Sequence, residues 1–359
     1  MTTMLECKKK KVLMFLQSEV GGAERVTVTI GKNLDAVAFD VHFYAAGPWD
    51  CKIADFIPKN LYCGHLKYKN PFRLLFAFYK TIRTESPDIV FASTMYISTK
   101  LLLLSLFFKK TKFIIRCENN LYTFSKKQQL MIRLLYRRAE KIIAQTDEMR
   151  TELITRALLP ERKIITIQNP LDCKSIDSLA EKRTPFVEND KIFFVASGRF
   201  APEKGFDILV QAFAQVIKKI NNAELFIVGR ISGPSEKFYS RIKEQIKSLG
   251  LSKKVHCVGY QRNPYVYVKN ANCFVLSSRS EGLPNAMIEA LYLETPVAAT
   301  TCIPAIERIV ENGKTGFLAI PENIESLAQA MINAVSLGRV KSRMIKNTIP
   351  CFNEIFFGL

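Results

Sequence analysis

Tryptophan occurs once and histidine three times in 359 residues, and there is no Asp-x-Asp, no Cys-x-x-Cys and no cluster of histidines. The nine cysteines (Cys7, Cys51, Cys63, Cys117, Cys173, Cys257, Cys273, Cys302 and Cys351) are odd in number and scattered singly. That pattern offers neither a disulfide framework nor a zinc site, and a reducing compartment is expected. Long apolar runs are missing as well. The longest, Leu101–Phe108, is broken by a serine and falls far short of the ~20 residues a membrane-spanning helix needs. The start, Lys8–Lys11 followed by Val12–Leu16, lacks the length and the small-residue cleavage site of a signal peptide, so it reads as a first β-strand. What remains is an ordinary globular composition, 48% apolar and 24% charged, in a chain long enough for two domains.

Acidic residues are in deficit: 33 against 52 Lys and Arg, a net charge of +19. The excess is concentrated in the first half, and residues 100–141 hold eleven basic side chains against Glu118 and Glu140. Such density predicts an anionic partner, lipid or nucleic acid. Nucleic acid is disfavoured because no aromatic-interleaved basic motif or recognised binding module accompanies the charge. The stretch Lys126–Lys141, with Leu130, Met131, Leu134, Leu135 and Tyr136 among basic residues, reads either as an amphipathic helix lying on lipid or as a core-packed helix with a solvated basic face.

Short apolar runs rich in β-branched and aromatic residues alternate with longer helical stretches: Val12–Leu16, Val41–Tyr44, Ile89–Phe91, Phe113–Ile115, Ile142–Ala144 and Ile164–Ile167. After a polar stretch, Asp172–Asp190, containing Pro185, the pattern restarts with Ile192–Ala196, Leu225–Val228, Val255–Val258, Cys273–Leu276, Val297–Ala299 and Phe317–Leu318. Strands buried on both faces and joined by crossover helices give this pattern, so two doubly wound parallel α/β domains are expected, 1–187 and 188–338. Ligands of such sheets bind at the carboxyl ends of the strands, and a cleft between two facing domains is the expected site.

Three loops following strands carry the chemistry. Gly21-Gly22 precedes a helix beginning near Ala23, where backbone N–H groups can approach a phosphate, although paired glycines also make plain turns. Ser197–Phe206 brings Arg199 and Lys204 into one glycine-punctuated loop, a pair suited to a diphosphate or simply a solvated basic loop. Ser277–Ala290 carries Glu281 in a loop and Glu289 eight residues on, two carboxylates that can accept from the hydroxyls of a polyol, or else a helix-dipole residue and a solvated glutamate.

Together these pieces resemble the family 4 retaining glycosyltransferases of the GT-B fold, of the bacterial surface-polysaccharide type. The most specific mark is Glu281 through Glu289 within Ser-Arg-Ser-Glu-Gly-Leu-Pro-Asn-Ala, preceded by Gly198-Arg199, Glu203-Lys204-Gly205 and the Gly21–Arg25 loop. Lesser agreement lies in Gln145-Thr146-Asp147, Asn169-Pro170 and Gly313–Leu318.

The resemblance implies two Rossmann-like domains facing a central cleft, the first for an acceptor and the second for a nucleotide sugar, with 339–359 returning to the first. It implies transfer of a hexose or N-acetylhexosamine from a UDP-sugar to a lipid-linked or surface glycan such as O-antigen or capsule. Arg199 and Lys204 then hold the diphosphate, Gly22 offers its N–H to the distal phosphate, and Glu281 meets the sugar. Gly282, Leu283 and Pro284 lie along sugar and diphosphate, Glu289 binds the ribose, and Gly259 and Tyr260 lie near the base. The catalytic set is Glu281, Arg199 and Lys204, with no metal and no cofactor. The expected partners are the sugar nucleotide, a polyprenyl-diphosphate-linked acceptor and an anionic membrane met by residues 100–141, in a cytoplasmic protein seated peripherally on the inner membrane. The alternative is a catalytically silent sugar-nucleotide-binding subunit of a glycosyltransferase complex. Two segments depart from the family pattern. Where many relatives carry a histidine beside the sugar, this chain reads Arg116-Cys117-Glu118-Asn119-Asn120, so Glu118 or Asn119 takes the acceptor-side position, and none of His42, His65 or His256 matches it. Thr300–Pro304 also differs from the usual sequence.

Overall fold

A computed structural model gives the structure and describes residues 8–48, 51–68, 70–182, 190–231, 235–342 and 348–359. Contacts divide the chain into two compact units, Met1–Leu171 with Asn347–Leu359, and Asp172–Lys346.

Unit one is a seven-stranded parallel sheet of β1 (Lys10–Gln17), β2 (Phe39–Gly47), β3 (Tyr62–Lys67), β4 (Ile89–Ala92), β5 (Lys112–Arg116), β6 (Lys141–Ala144) and β7 (Ile164–Thr166), in the order β3-β2-β1-β4-β5-β6-β7. Alternate residues of β1 bury on opposite faces, which a period of two requires when helices cover both sides. Leu13 and Phe15 meet the layer of α2 (Pro71–Glu85), α3 (Met95–Leu104), α4 (Lys126–Leu135) and α5 (Asp147–Thr155) through Leu74, Phe78, Leu101 and Ile132. Val12 and Met14 meet α1 (Gly22–Lys32) and the C-terminal helix Ile349–Phe357 through Val26, Ile30, Phe352 and Phe356. The C-terminal helix is tied in further where the Asp35 N–H donates to Asn353 Oδ1 (3.0 Å) and the Thr348 hydroxyl donates to the Gln168 carbonyl (3.0 Å).

Unit two is a six-stranded parallel sheet of β8 (Ile192–Ser197), β9 (Ala223–Val228), β10 (Val255–Gly259), β11 (Cys273–Leu276), β12 (Val297–Thr300) and β13 (Gly316–Ala319), in the order β10-β9-β8-β11-β12-β13. Its helices are α6 (Cys173–Ala180), α7 (Phe206–Lys219), α8 (Ser235–Ser248), α9 (Tyr265–Asn270), α10 (Asn285–Tyr292), α11 (Pro304–Ile309) and α12 (Ile324–Val335). In each unit the strand order reverses beside the first strand, so the switch points lie between β1 and β4 and between β8 and β11. The loops leaving those carboxyl ends are where such a sheet leaves room for a ligand.

Among the described residues, twelve of the thirteen strands coincide with the apolar runs of the sequence. The thirteenth, β3, is a partly exposed strand at the end of its sheet whose Gly64 and His65 interrupt any apolar run. The polar stretch after Leu171 holds a helix instead of a plain linker. Ile176 and Ala180 of α6, four residues apart, bury one face, while the Asn263 amide donates to the Leu179 carbonyl (2.8 Å), so unit two begins ahead of the boundary drawn at 187. That boundary and Pro185 fall in residues 183–189, and part of the 339–359 segment in 343–347, outside the described residues. The helix read over Lys126–Lys141 stops at Leu135, because Tyr136 turns into the core and Lys141 already opens β6. Leu135 and Tyr136 are therefore core residues, whereas Leu130 and Leu134 face outward.

Phe356 is fully buried, with its ring 6.0 Å from Phe39 and 5.7 Å from Phe91. Phe356→Ala is expected to cost ~3–5 kcal/mol in a denaturant titration. The half-exposed neighbour, substituted as Phe357→Ala, should cost distinctly less. Equal losses would contradict this packing of the C-terminal helix.

Candidate active site

In unit two, the loops after β8 and β11 are fastened to one another. The Arg279 N–H donates to the Glu203 carbonyl (2.8 Å), its Nη1 to the Pro202 carbonyl (2.6 Å), and the Ser277 hydroxyl to the Lys204 carbonyl (2.8 Å). Arg279 forks onto both oxygens of Asp207 at 2.8 Å and pairs with Glu322. Burial pushes the Asp207 carboxyl upward, but hydrogen bonds and charge from Arg279 outweigh it and hold the group below its usual range. The hydrogen bonds that Arg279 donates to Asp207 raise the guanidinium in turn, so this pair is ionised across the physiological range. Sequence reasoning quoted Arg279 within a motif and gave it no role. Its only signal was a position in the loop that follows a strand.

Close backbone packing explains the glycines. Gly205 adopts φ +63°, and a Cβ there would lie 2.0 Å from the Ser277 carbonyl oxygen. A Cβ on Gly229 would lie 2.0 Å from the Gly198 carbonyl oxygen. Gly198 itself leaves room for the methylene stem of Lys204, which a Cβ would approach at 3.3 Å.

The clamp brings Lys204 and Glu281 together across the switch point. Lys204 Nζ lies 2.6 Å from Glu281 Oε1, which also accepts from the Ser278 hydroxyl at 2.6 Å, and the two side chains are 22% and 10% exposed. Arg199 is placed differently: its Nη2 donates to Glu203 Oε1 at 3.1 Å and its side chain is 69% exposed. Glu289, in α10, accepts from the Tyr265 hydroxyl at 3.3 Å. Gly282, Leu283 and Pro284 are buried between these carboxylates. Gly259 sits at the end of β10 with φ +70°, and Tyr260 beside it is half exposed. Gly316 of the Gly313–Leu318 segment supports the sheet, since a Cβ on it would lie 2.3 Å from the Val297 carbonyl. Cys302 lies near Lys204 and Glu281, and burial first, then the Glu281 charge, push its thiol up to about 12, which keeps it protonated.

In unit one, Gly22 opens α1, with the extended Gly21 as its cap. Beyond β5 a buried polar network fixes the loop of Glu118 and Asn119. The Gln145 amide donates to the carbonyls of Cys117 (2.6 Å) and Glu118 (2.9 Å), the Asn169 amide donates to Gln145 Oε1 (2.8 Å), and Arg116 Nε donates to Asn169 Oδ1 (3.1 Å). Gln145 and Asn169, singled out in the sequence, thus position this loop. Arg116 is buried, with no hydrogen-bond partner for its Nη1 among the described residues. Burial lowers it only to about 10, which leaves it a cation.

Glu118 accepts from the Met95 N–H at 2.9 Å and lines a small pocket with Met95, Cys117, Leu121, Ile132 and Tyr136. Burial, and then the negative charge of Glu24, push its carboxyl from 4.5 to about 8 against the opposing pull of the Met95 N–H and Arg116. The three histidines lie on β2, β3 and β10, bonded to Asp40, to the Gly47 carbonyl and to Glu224 respectively. Among the described residues no group of three or more His, Cys, Asp or Glu is placed to hold a metal ion, the eight cysteines are all free, and no helix is long and apolar enough to cross a membrane.

A carboxyl protonated in the folded chain but ionised in the unfolded one binds an extra proton between about pH 4.5 and 8, so it makes stability fall as pH rises through that window. Glu118→Gln cannot ionise and is expected to flatten this slope in denaturant midpoints measured from pH 5 to 8. An unchanged slope would refute the elevated carboxyl.

Comparison with known proteins places these features. The family described as Glycosyltransferase Family 4 matches residues 20–175, and that described as Glycosyl transferases group 1 matches 178–349. An uncharacterized glycosyltransferase of Methanocaldococcus jannaschii is 32% identical over 65% of this chain, which spans 61% of that relative's length. An N-acetylgalactosamine-N,N'-diacetylbacillosaminyl-diphospho-undecaprenol 4-alpha-N-acetylgalactosaminyltransferase of Campylobacter jejuni is 25% identical over 93% of both chains. Among solved structures, Anabaena HepE in complex with UDP-glucose superimposes with a TM-score of 0.77 at 18% identity, covering 98% of this chain and all of the other, and shares its GT-B fold.

Proposed function

The chain belongs to glycosyltransferase family 4, and on that premise we propose that it moves a hexose or N-acetylhexosamine from a UDP-sugar, with retention, onto a lipid-linked or surface glycan. The observation that carries this reading is the Lys204–Glu281–Ser278 cluster at the unit-two switch point, held there by Arg279. A diphosphate arriving at Lys204 competes with Glu281 for the ammonium, which frees the Glu281 carboxylate to accept from sugar hydroxyls. Cationic charge fixed beside the diphosphate lowers the cost of the charge that develops as the glycosidic bond breaks. Arg199 reaches the same diphosphate by leaving Glu203, a surface pair that is weak and exchangeable. Glu289 takes the ribose hydroxyls and the Gly259–Tyr260 turn the base. In unit one, Gly22 offers its N–H to the distal phosphate, and Glu118 and Asn119 face the acceptor.

In the retaining step the acceptor hydroxyl attacks the anomeric carbon on the face the diphosphate leaves. The bond to the diphosphate breaks, and the departing oxygen takes the hydroxyl proton. The Campylobacter relative named for an undecaprenol-linked substrate and the UDP-glucose complex of HepE support the acceptor and donor classes. Arg279 serves the site indirectly, by fixing the loop that carries Lys204.

A panel of sugar nucleotides scored for thermal stabilisation and for turnover tests the reading. A ligand at 100 times its Kd adds about 2.7 kcal/mol, so binding is visible without catalysis. Lys204→Ala is expected to lower kcat ~10²–10³-fold. Glu281→Ala should impair sugar use with the fold intact, and product NMR should show a retained anomeric configuration. Near-normal turnover in both variants, or an inverted linkage, would overturn the proposal. Stabilisation without any turnover would favour the silent binding subunit.

A further inference from the structure

A second cluster of titratable side chains lies at the opposite end of the unit-one sheet, where β1, β2 and β3 begin and α2 ends. The pairing of β2 with β3 has a break in register: Phe43 lies opposite Tyr62 and Tyr44 opposite Gly64, so Cys63 is the extra residue of a bulge. Bulges of this kind re-aim the side chain they carry. Here the Cys63 thiol, in an exposed residue, meets the His42 ring on the neighbouring strand, with Sγ 3.3 Å from Nδ1. Asp40 precedes His42 by two residues and so shares its face of β2. Its Oδ2 holds the far side of the ring, 2.9 Å from Nε2.

These contacts fix the roles of the two ring nitrogens. A carboxylate only accepts, so Nε2 carries the hydrogen and Nδ1 is left to accept from the thiol. The other acceptor within reach of the thiol, the Leu61 carbonyl, is farther away at 3.7 Å. A nucleophile bonded to a base, with the base oriented by a third group, is the arrangement that activates a weak nucleophile. The charged groups around it come from α2 and β1 as well as β2. Glu85 of α2 lies 4.0 Å from His42 Nδ1 and is itself engaged by Lys11 of β1 (3.1 Å) and by the Tyr44 hydroxyl (2.8 Å). Burial first, then the Glu85 charge, hold the Cys63 thiol above its usual range, so the resting group is a thiol and not a standing thiolate. Attack by the sulfur therefore requires a base that removes the proton in the same step, and His42 is placed to do so, with Asp40 and Glu85 sharing the charge the ring acquires. A single metal ion does not suit the trio, because Cys63 and Asp40 occupy opposite nitrogens of one imidazole.

We infer that Cys63 is a site of thiol modification by small disulfides, with His42 as its base and Asp40 as the residue that positions His42. The Cys63 sulfur attacks one sulfur of the disulfide while the thiol proton passes to His42 Nδ1. A new S–S bond forms as the old one breaks, and the departing thiolate takes the proton from the imidazolium, so no further oxidant is consumed. Cys51, close by in sequence, packs with Tyr62 against the other face of the sheet, so it is not placed to resolve the product, which remains a mixed disulfide. Position on the end strand of the sheet leaves the approach open. The cluster is separate from the carboxyl-end loops, and this chemistry does not depend on sugar transfer.

Exposure of the full chain to bis(2-hydroxyethyl) disulfide, an uncharged probe, near neutral pH tests the inference, with adduct formation at each cysteine followed by peptide mass spectrometry. Cys351, the other exposed cysteine among the described residues, is the internal reference. Cys63 is expected to react about tenfold faster than Cys351 or more. His42→Gln should lower the Cys63 rate by about tenfold or more while the Cys351 rate stays the same. Asp40→Asn should lower it several-fold and Asp40→Glu restore part of the loss, with denaturant midpoints confirming that each variant is folded. A Cys63 rate no higher than that of Cys351, which needs no variant to measure, or a Cys63 rate indifferent to His42→Gln would overturn the inference. Turnover is not read, so either result leaves the transferase reading to its own test.

Discussion

One guanidinium organises the candidate active site. Arg279 reaches from the loop after β11 to Asp207 at the start of α7, to Glu322 before α12 and to the backbone of Pro202 and Glu203. A bidentate pair of this kind is directional, and three anchoring elements leave the guanidinium little freedom. The loop that carries Lys204 is therefore held by a charged side chain from the neighbouring loop. Gly205 makes the arrangement sterically allowed, because its left-handed backbone lies too close to Ser277 for any side chain. Lys204, Glu281 and Ser278 then meet at the carboxyl ends of the central strands β8 and β11, where the strand order reverses and neighbouring loops diverge.

Positive charge is used in three distinct ways. Arg279 and Arg116 are structural cations, one paired with carboxylates and the other buried against the Asn169 amide. Lys204 and Arg199 are each paired with a single carboxylate, the Lys204–Glu281 pair mostly buried and the Arg199–Glu203 pair exposed. The remaining surplus spreads over the outer layer of unit one beside exposed aromatics. Composition reports only the sum of these populations. Burial decides which cations are committed to the fold and which stay available to an anionic partner.

The architecture was largely legible in the chain. Strands buried on both faces leave continuous apolar runs, and twelve of thirteen could be marked from them. The edge strand β3 could not, because half-exposed strands mix polar and small residues. Helix α6 escaped notice for a related reason: only Ile176 and Ala180 face inward across eight residues, too sparse a pattern to separate from a polar linker. Of the site, the residue types and their loops were readable, while the partners were not. Arg199 and Lys204 look equivalent five residues apart, yet one faces solvent beside Glu203 and the other turns to a glutamate 77 positions away.

The sequence by itself determined two doubly wound parallel sheets, the loops that carry the chemistry and membership in a glycosyltransferase family, because periodicity, glycine placement and motif spacing are local properties of a chain. Only the tertiary structure decided that Arg279 clamps the loops, that Lys204 pairs with Glu281, that Glu118 is buried beside Glu24 and Arg116 and so keeps its proton, and which sides of α2 and α4 face outward. Those outcomes depend on which distant side chains share a neighbourhood and how much water is left between them. Coulomb energies and desolvation are set by distance and burial, and neither is encoded by position along the chain.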